Sequence, residues 1–502
     1  MLKKILIANR GEIAVRIIRA CREMDIPTVA IYSTADRTAP HVLMADEAVE
    51  IGPPPATESY LRGEAIVDIA VRSGCDGVHP GYGFLSENAD FADQVTAAGL
   101  TWIGPPAKVM AQMGDKLAAR KLAVRTGTTV LEGLDDAVTD FDSALDAADQ
   151  IGYPVLVKAA GGGGGKGMRI VRQRDELVKA IELARSEAGH AFADDRVFLQ
   201  KYLHGPHHIE VQIFADQHGN IVSLGERECS IQRRYQKIVE EAPSPFIHDA
   251  LRVQLAQSAE NIARACGYVG AGTVEFLVDE ERNFYFLEMN TRLQVEHPIT
   301  EMVTGYDLVA AQLQVASGEP LPFSHDDIVP RGHAIECRIY AEDGFDGFAP
   351  SIGTIVELSE PGGPGVRLDH GIRAGLEITT HYDPLLGKLC SWGRTRQEAI
   401  NRMSRALEEL RIVGLRTTIP FCRAVMHSEA FTSGRYNTHF ITDHQAELEQ
   451  FSNTREDHLP QVAALGAALF GDHEKPRRMN RPEGDGGDSA WLAEGRRRQM
   501  RR

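Results

Sequence analysis

The sequence predicts a mixed α/β and α+β protein. It has a doubly wound N-terminal domain, a small α+β unit carrying a glycine loop, and a strand-rich remainder. Three observations carry this. Residues 4–8 are a short apolar run of the kind buried in a parallel sheet, and after Gly11 a helical pattern sets Ala14, Ile17, Ile18 and Cys21 on one face. A strand pattern ending in Lys158 runs into Gly161-Gly-Gly-Gly-Gly-Lys-Gly167. Paired strand patterns then recur, 209–215 with 221–226 and 274–277 with 284–288.

The first of these continues as a βαβ unit. A second strand is expected over 27–32, and strands and helices alternate up to Gly104-Pro-Pro106. A helical connector is expected over 108–126 and an acidic helical stretch over 134–150. The strand over 153–158, the glycine run, a return to helix from 171 and a strand over 197–202 complete the small unit. Gly219-Asn220 reads as the turn of the first hairpin. Helices are expected over 305–317 and 396–411. Globular character fades after about 450, and from Glu474 the polar, Gly- and Pro-bearing, finally basic stretch reads as a solvated, disordered tail. The domains are therefore set at 1–113, 114–203 and 204–446, with a C-terminal extension over 447–502.

Composition narrows the class. At roughly 100–200 residues per domain, 502 residues allow two to four domains. A net charge of −17 argues against a nucleic-acid binder, which needs a basic face. Seven cysteines, an odd number without a Cys-x-x-Cys pair, read as buried free thiols, which fits a reducing cytoplasm. The N-terminal apolar run is too short for a secretion signal, and no stretch reaches the roughly 20 apolar residues of a membrane span.

The chemistry-bearing residues concentrate in three places. Glycines at 161–167 let backbone N–H groups approach phosphate, and Lys166 adds charge, but Gly167 follows it where a Walker loop has Ser or Thr. Lys116 and Lys158 are further phosphate candidates, Lys158 because it ends an apolar strand at the loop. Glu275, Glu288 and Asn290 fall on paired strands, the last two on one face, and oxygen donors of this kind suit Mg²⁺ or Mn²⁺ beside phosphates. Glu288 follows bulky apolar residues, so it is expected at a buried edge, where a carboxylate needs a cation. Arg292, Gln294 and Glu296 alternate, a cation, an amide and a carboxylate suited to binding and deprotonating a small planar anion such as bicarbonate. Glu296 is the candidate base and Arg292 the anion clamp.

The strings that hold these residues are Ile7-Ala-Asn-Arg-Gly-Glu-Ile-Ala14, His79-Pro-Gly-Tyr-Gly-Phe-Leu-Ser-Glu-Asn88 and Gln232-Arg-Arg-Tyr-Gln-Lys-Ile-Val-Glu-Glu-Ala-Pro243. Glu288-Met-Asn-Thr-Arg-Leu-Gln-Val-Glu-His-Pro298 and Gly332-His-Ala-Ile-Glu-Cys-Arg338 follow. With the glycine loop, and in this order from residue 1 to about 446, they resemble the biotin carboxylase family. The resemblance implies an ATP-grasp fold whose N-terminal domain precedes a small lid that closes its glycine loop over ATP. By motif match, Lys116, Lys158, Lys201, Leu203, His208 and Gln232 would contact the nucleotide, with Gly163, Gly164 and Gly165. Glu275, Glu288 and Asn290 would hold the metal ions. Lys237, Arg292, Gln294 and Val295 would bind bicarbonate, Glu296 would deprotonate it, and Tyr82 and Arg338 would meet the biotin ring.

Three positions depart from the family pattern: Tyr235 where many relatives carry His, Gln200 where an acidic residue is usual, and Lys166 where Arg is common. A Met-Lys-Met tripeptide, the mark of a biotin-bearing domain, is absent, and the chain is expected to stop short of a carboxyltransferase. The resemblance therefore implies a biotin carboxyl carrier protein and carboxyltransferase subunits as partners, a homodimer by family habit, and the first half-reaction of acetyl-CoA carboxylase. The same half-reaction in the A subunit of a pyruvate carboxylase, or in the alpha subunit of a propionyl-CoA-type carboxylase, is the alternative. Another ATP-grasp ligase would lack the 288–298 string and the Arg338 motif, and a non-catalytic homologue would be expected to lose Glu275, Glu288, Asn290 or Glu296.

Overall fold

The computed structural model describes residues 1–162, 165 and 167–456. The chain begins with β1 (Ile5–Ile7), α1 (Gly11–Glu23), β2 (Thr28–Ser33) and β3 (Glu47–Gly52). Next come α2 (Gly63–Arg72), β4 (Gly77–His79), α3 (Ala89–Ala97) and β5 (Thr101–Trp102). The strands form one parallel sheet in the order β3-β2-β1-β4-β5, with the order reversing at β1. This is the expected doubly wound start. Gly11 opens α1 with φ +66°, and Ile13, Ala14, Ile17, Ile18 and Cys21 are buried from it.

The connector divides into α4 (Ala107–Gly114) and α5 (Lys116–Arg125) rather than running as one helix. Asp115 breaks it, because its carboxylate accepts from the N–H groups of Leu117 at 3.0 Å and Ala118 at 2.9 Å and so caps a new helix. The acidic stretch is helical only as α6 (Phe141–Ile151), capped by Asp140; Asp135 and Asp136 instead pair with Arg120 and Lys121. Then come β6 (Val155–Ala159), β7 (Arg169–Val171), α7 (Leu177–Phe192) and β8 (Val197–Lys201), in a small antiparallel sheet ordered β7-β6-β8. A short strand thus precedes the helix expected from residue 171. Of the glycine run, Gly163, Gly164 and Lys166 lie outside the described residues.

The third part contains β9 (His207–Ala215), β10 (Ile221–Arg233), β11 (Gln236–Ala242), α8 (Asp249–Cys266), β12 (Gly270–Val278) and β13 (Phe284–Asn290). After them come α9 (His297–Thr304), α10 (Leu308–Ala316), β14 (His333–Tyr340), β15 (Val366–His370), β16 (Leu385–Gly393), α11 (Arg396–Glu409) and α12 (Phe440–Glu456). Among the described residues the strands join in an antiparallel sheet ordered β13-β12-β9-β10-β11-β14-β16-β15. The β9–β10 hairpin turns at Gly219-Asn220 as expected, with Asp216 accepting from the N–H groups of His218 and Asn220.

All nine residues of β9 are buried. Ile209, Val211, Ile213 and Ala215 join a core with α5 and α8, so the alternate residues His208, Glu210 and Gln212 must occupy the opposite face. That alternation is what creates the site. The expected boundary at 113/114 falls at the last turn of α4, and that at 446/447 falls inside α12. The tail expected to be disordered from Glu474 lies outside the described residues. All seven cysteines are free, and six are buried. Among the described residues no helix is long and apolar enough to cross a membrane.

Candidate active site

The polar face of the large sheet carries one continuous row. Arg227 on β10 pairs in register with Glu210 on β9, Glu210 with Glu275 on β12, and Glu275 with Glu288 on β13. Antiparallel register sets such neighbours about 4.5–5.5 Å apart at Cβ, so charges at one register level must be compensated within the row. They are. The Arg227 guanidinium donates to Glu210, and Lys237 from β11 reaches Glu210, Glu275 at 2.9 Å and Glu296 at 2.7 Å. Lys116 stands 3.2 Å from Glu288.

Glu296 precedes α9 and its carboxylate is fully buried between two cations. Lys237 donates to Oε1, and Arg338 on β14 donates to Oε2 at 3.0 Å. Burial alone would raise its pKa, but Lys237, then Arg338 and Arg227, outweigh that and hold the carboxyl well below its usual range. Lys237 is likewise disfavoured by burial and then held charged by Glu210, Glu275 and Glu296. Arg338 also donates from Nε to Glu240 Oε1 at 2.5 Å. Burial raises Glu240 to about 7, against the opposing pull of Arg338.

The nucleotide candidates partly converge here. His208 bridges Glu275 (Nε2 to Oε2, 2.9 Å) and Gln232 (Nδ1 to Nε2, 2.7 Å). Lys158 is buried on β6, 3.3 Å from the Gln200 side-chain oxygen, so the uncommon residue at 200 still serves that lysine. Burial, then the neighbouring Lys116, push Lys158 down to about 8. Lys116 also donates to the Gly162 carbonyl, tying α5 to the glycine loop. The Tyr235 ring packs where a Cβ on Gly165 would stand, so the loop needs glycine at that point. Leu203 lies between β8 and β9. Gly163 and Gly164 lie outside the described residues.

Several expectations change. The Lys201 amine does not join this cluster. It donates to the carbonyls of Gly152 at 2.7 Å and Ile151 at 3.3 Å, because alternation along β8 sets its side chain opposite to that of Gln200. Glu288 is half-buried rather than enclosed, at 28% side-chain exposure, because β13 is the sheet edge. Residues 291–296 do not form a strand, so Arg292, Gln294 and Glu296 do not share a face by alternation. Arg292 instead contacts Glu87 at 2.9 Å, Asn290 Oδ1 at 3.1 Å and Gln294 at 3.3 Å, and Gln294 turns its amide to Glu275 at 3.3 Å. Tyr82 donates to Glu12, and Lys388 joins Glu12 at 2.9 Å to the Val295 carbonyl at 2.8 Å. One buried lysine thus links the Tyr82 loop to the 291–296 loop.

Glu210, Arg227, Glu240, Glu87, Glu12 and Lys388 were not anticipated. For Glu210 the signal was present in His208-Ile-Glu-Val-Gln212, a polar residue at every second position of an otherwise apolar strand.

Three residue ranges match known domain families: 1–110 the biotin carboxylase N-terminal domain, 115–324 the ATP-binding domain of the carbamoyl-phosphate synthase L chain, and 336–443 the biotin carboxylase C-terminal domain. "Biotin carboxylase" of Haemophilus influenzae is 50% identical over 442 residues, 88% of this chain and 98% of that protein. The chain belongs to the biotin carboxylase family. The pyruvate carboxylase A subunit of Methanothermobacter thermautotrophicus is 50% identical over 483 residues, 93% of this chain and 98% of that one. Among solved structures, the biotin carboxylase domain dimer of Hydrogenobacter thermophilus 2-oxoglutarate carboxylase, in complex with MgADP, ADP and bicarbonate, superposes with a TM-score of 0.87. It is 47% identical and covers 89% of this chain and 99% of that one. The fold of this biotin carboxylase family member is accordingly ATP-grasp.

Proposed function

We propose that this chain carboxylates biotin, carried on a separate carrier protein, using ATP and bicarbonate. The observation that carries the reading is the buried Glu296 carboxylate held between Lys237 and Arg338, beside the register row of Glu210, Glu275 and Glu288, with Lys116 of α5 reaching Glu288. Bicarbonate is a poor electrophile; phosphorylation by ATP gives ADP and carboxyphosphate, which breaks down beside biotin to CO₂ and phosphate, and the phosphate takes the biotin N1 proton as N1 bonds to CO₂. Glu296 takes the bicarbonate proton. In the resting cluster its basicity is damped by Lys237. Bicarbonate seated by Lys237, Arg292 and Gln294 shares that lysine, and so returns basicity to Glu296 when a proton must move. Arg338 stabilises the charge that develops on the biotin ureido oxygen. Tyr82 and Val295, joined through Glu12 and Lys388, frame the ring.

Glu275, Glu288 and Asn290 fit a hard divalent cation, because three oxygen donors lie within two residues of one register level on adjoining strands. Magnesium or manganese held there would offset phosphate charge. Lys116 and Lys158 hold the phosphates. The glycine loop, seated on Tyr235 at Gly165, closes over them and excludes water.

The acceptor of the holoenzyme is proposed to be acetyl-CoA, with the carrier and carboxyltransferase as separate subunits and a homodimer like that of the Hydrogenobacter domain. Pyruvate is the second reading. It is favoured by the extent of likeness to the Methanothermobacter pyruvate carboxylase protein, 483 residues against 442 for the Haemophilus protein. Purifying the chain with its partners and supplying each acceptor to the carboxylated carrier separates the two. The half-reaction itself is tested by bicarbonate-dependent ATP cleavage with free biotin; no stimulation by biotin sinks it.

Two further results are expected. Lys237→Gln raises the KM for bicarbonate at least tenfold, since it removes a cation that bridges Glu210, Glu275 and Glu296; steady-state bicarbonate titration checks this, and an unchanged KM removes Lys237 from the anion site. Lys158 carries its charge only below about 8, so ATP affinity should hold at neutral pH and fall as pH rises through that value. Calorimetric titration from about pH 7 to about pH 9 reads the decline, which Lys158→Arg, charged throughout, should remove. A level wild-type profile would contradict the assignment.

A further inference from the structure

We infer that Glu240 is a positioning residue for Arg338, holding the guanidinium by its inner nitrogen so that its outer edge stays open to an oxyanion. The inference rests on the proposed biotin reading, because Arg338 is the group that reading sets against the ureido oxygen.

The geometry is specific. Glu240 is on β11 and Arg338 on β14, in adjoining strands whose register pairs Glu240 with Glu336 and Val239 with Cys337. Both side chains are buried, and Nε donates to Glu240 Oε1 at 2.5 Å. A guanidinium has five N–H donors in a rigid plane. Glu240 takes Nε, Glu296 takes one nitrogen at 3.0 Å, and among the described residues the remaining nitrogen has only the Tyr340 hydroxyl at 3.5 Å, beyond a good hydrogen bond. The plane is thus anchored at its stem and on one side, and its last edge is nearly unpartnered in a buried place.

Charge balance alone does not explain Glu240. Glu296 already supplies a buried carboxylate to the same guanidinium. A second one adds desolvation and like-charge repulsion, and its Oε2 is buried without a hydrogen-bond partner among the described residues. What Glu240 adds is direction. With Glu296 alone, the guanidinium could turn about one contact and present a different edge. It would also follow Glu296 whenever that residue moved to take a proton. Anchoring Nε on β11, which belongs to the sheet rather than to the 291–296 loop, separates the orientation of Arg338 from the motion of the base.

The test uses the whole chain with ATP, bicarbonate and free biotin, following both ADP and carboxybiotin. Wild-type protein that forms no carboxybiotin overturns the proposed function, and this inference with it. When wild type does form it, Glu240→Gln is expected to lower kcat for carboxybiotin at least tenfold with the KM for bicarbonate within about twofold. An unchanged kcat, or a bicarbonate KM that rises in step with the loss, overturns the inference alone. In an Arg338→Met background, adding Glu240→Gln should change the remaining rate less than twofold, because no guanidinium is left to orient. A further tenfold fall there would mean that Glu240 acts on something else. Should Glu240→Gln fail to fold, Glu240→Asp, which keeps the charge but draws it back from Nε by one methylene, is expected to lower kcat with the bicarbonate KM unchanged, and an unchanged kcat overturns the inference.

Discussion

Glu296→Ala is expected to lower bicarbonate-dependent turnover by about 10²–10⁴-fold, the usual range for losing a positioned proton acceptor. The expectation comes from geometry more than from residue type. Glu296 is fully buried, receives Lys237 at 2.7 Å and Arg338 at 3.0 Å, and shares the Lys237 amine with Glu210 and Glu275 of the register row. Its removal takes the proton acceptor away but leaves Lys237 with Glu210 and Glu275 and Arg338 with Glu240, so the loss should appear in kcat and should not be overcome by raising bicarbonate. ATP binding should be nearly unchanged, because the Lys116, Lys158 and His208 contacts do not include Glu296. Single-turnover ADP formation and nucleotide titration measure the two separately. Retained bicarbonate-dependent turnover would take Glu296 out of the base role.

Arg227→Met is expected to lower the free energy of unfolding by about 3–5 kcal/mol, as when one member of a buried ion pair is removed. Arg227 is fully buried and donates to Glu210, to Gln212 at 2.8 Å, to Thr300 at 2.7 Å and to Thr273 at 3.3 Å. It therefore joins β9, β10 and β12 to α9. The methionine fills much of the volume but leaves Glu210 with Lys237 alone. Urea unfolding followed by fluorescence gives the change; a loss below about 1 kcal/mol would show that Lys237 suffices for Glu210. Arg227→Lys should recover little, since an ammonium cannot reproduce the planar fork that reaches four partners.

The legible parts of this protein were those written in local pattern. The β1–α1–β2 start, the strand into the glycine loop and both hairpins follow from apolar periodicity and turn residues, and each appears where expected. Boundaries slipped where one polar side chain decides the matter, as Asp115 does by capping α5. In the site, Glu275 and Glu288 were legible as cross-strand neighbours, whereas Glu240 and Arg227 were not. Their importance lies in contacts to residues 98 and 17 positions away, which no local period encodes. The direction of the Lys201 amine was not legible either, because alternation within β8 points it to the opposite face from Gln200, onto the carbonyls of Ile151 and Gly152.

The row from Arg227 through Glu210 and Glu275 to Glu288 behaves as a reading frame. Its order is set by which residue of each strand stands at one level, and strands shift by whole residues. Deleting one residue inside β9, on the side of Glu210 that anchors the register, would bring Ile209 or Val211 to the polar face and turn Glu210 into the core, reversing every side chain of the strand beyond the deletion. Adding residues at Gly219-Asn220 would leave the frame intact. Length is therefore free to drift in the turns of this sheet and fixed within its strands.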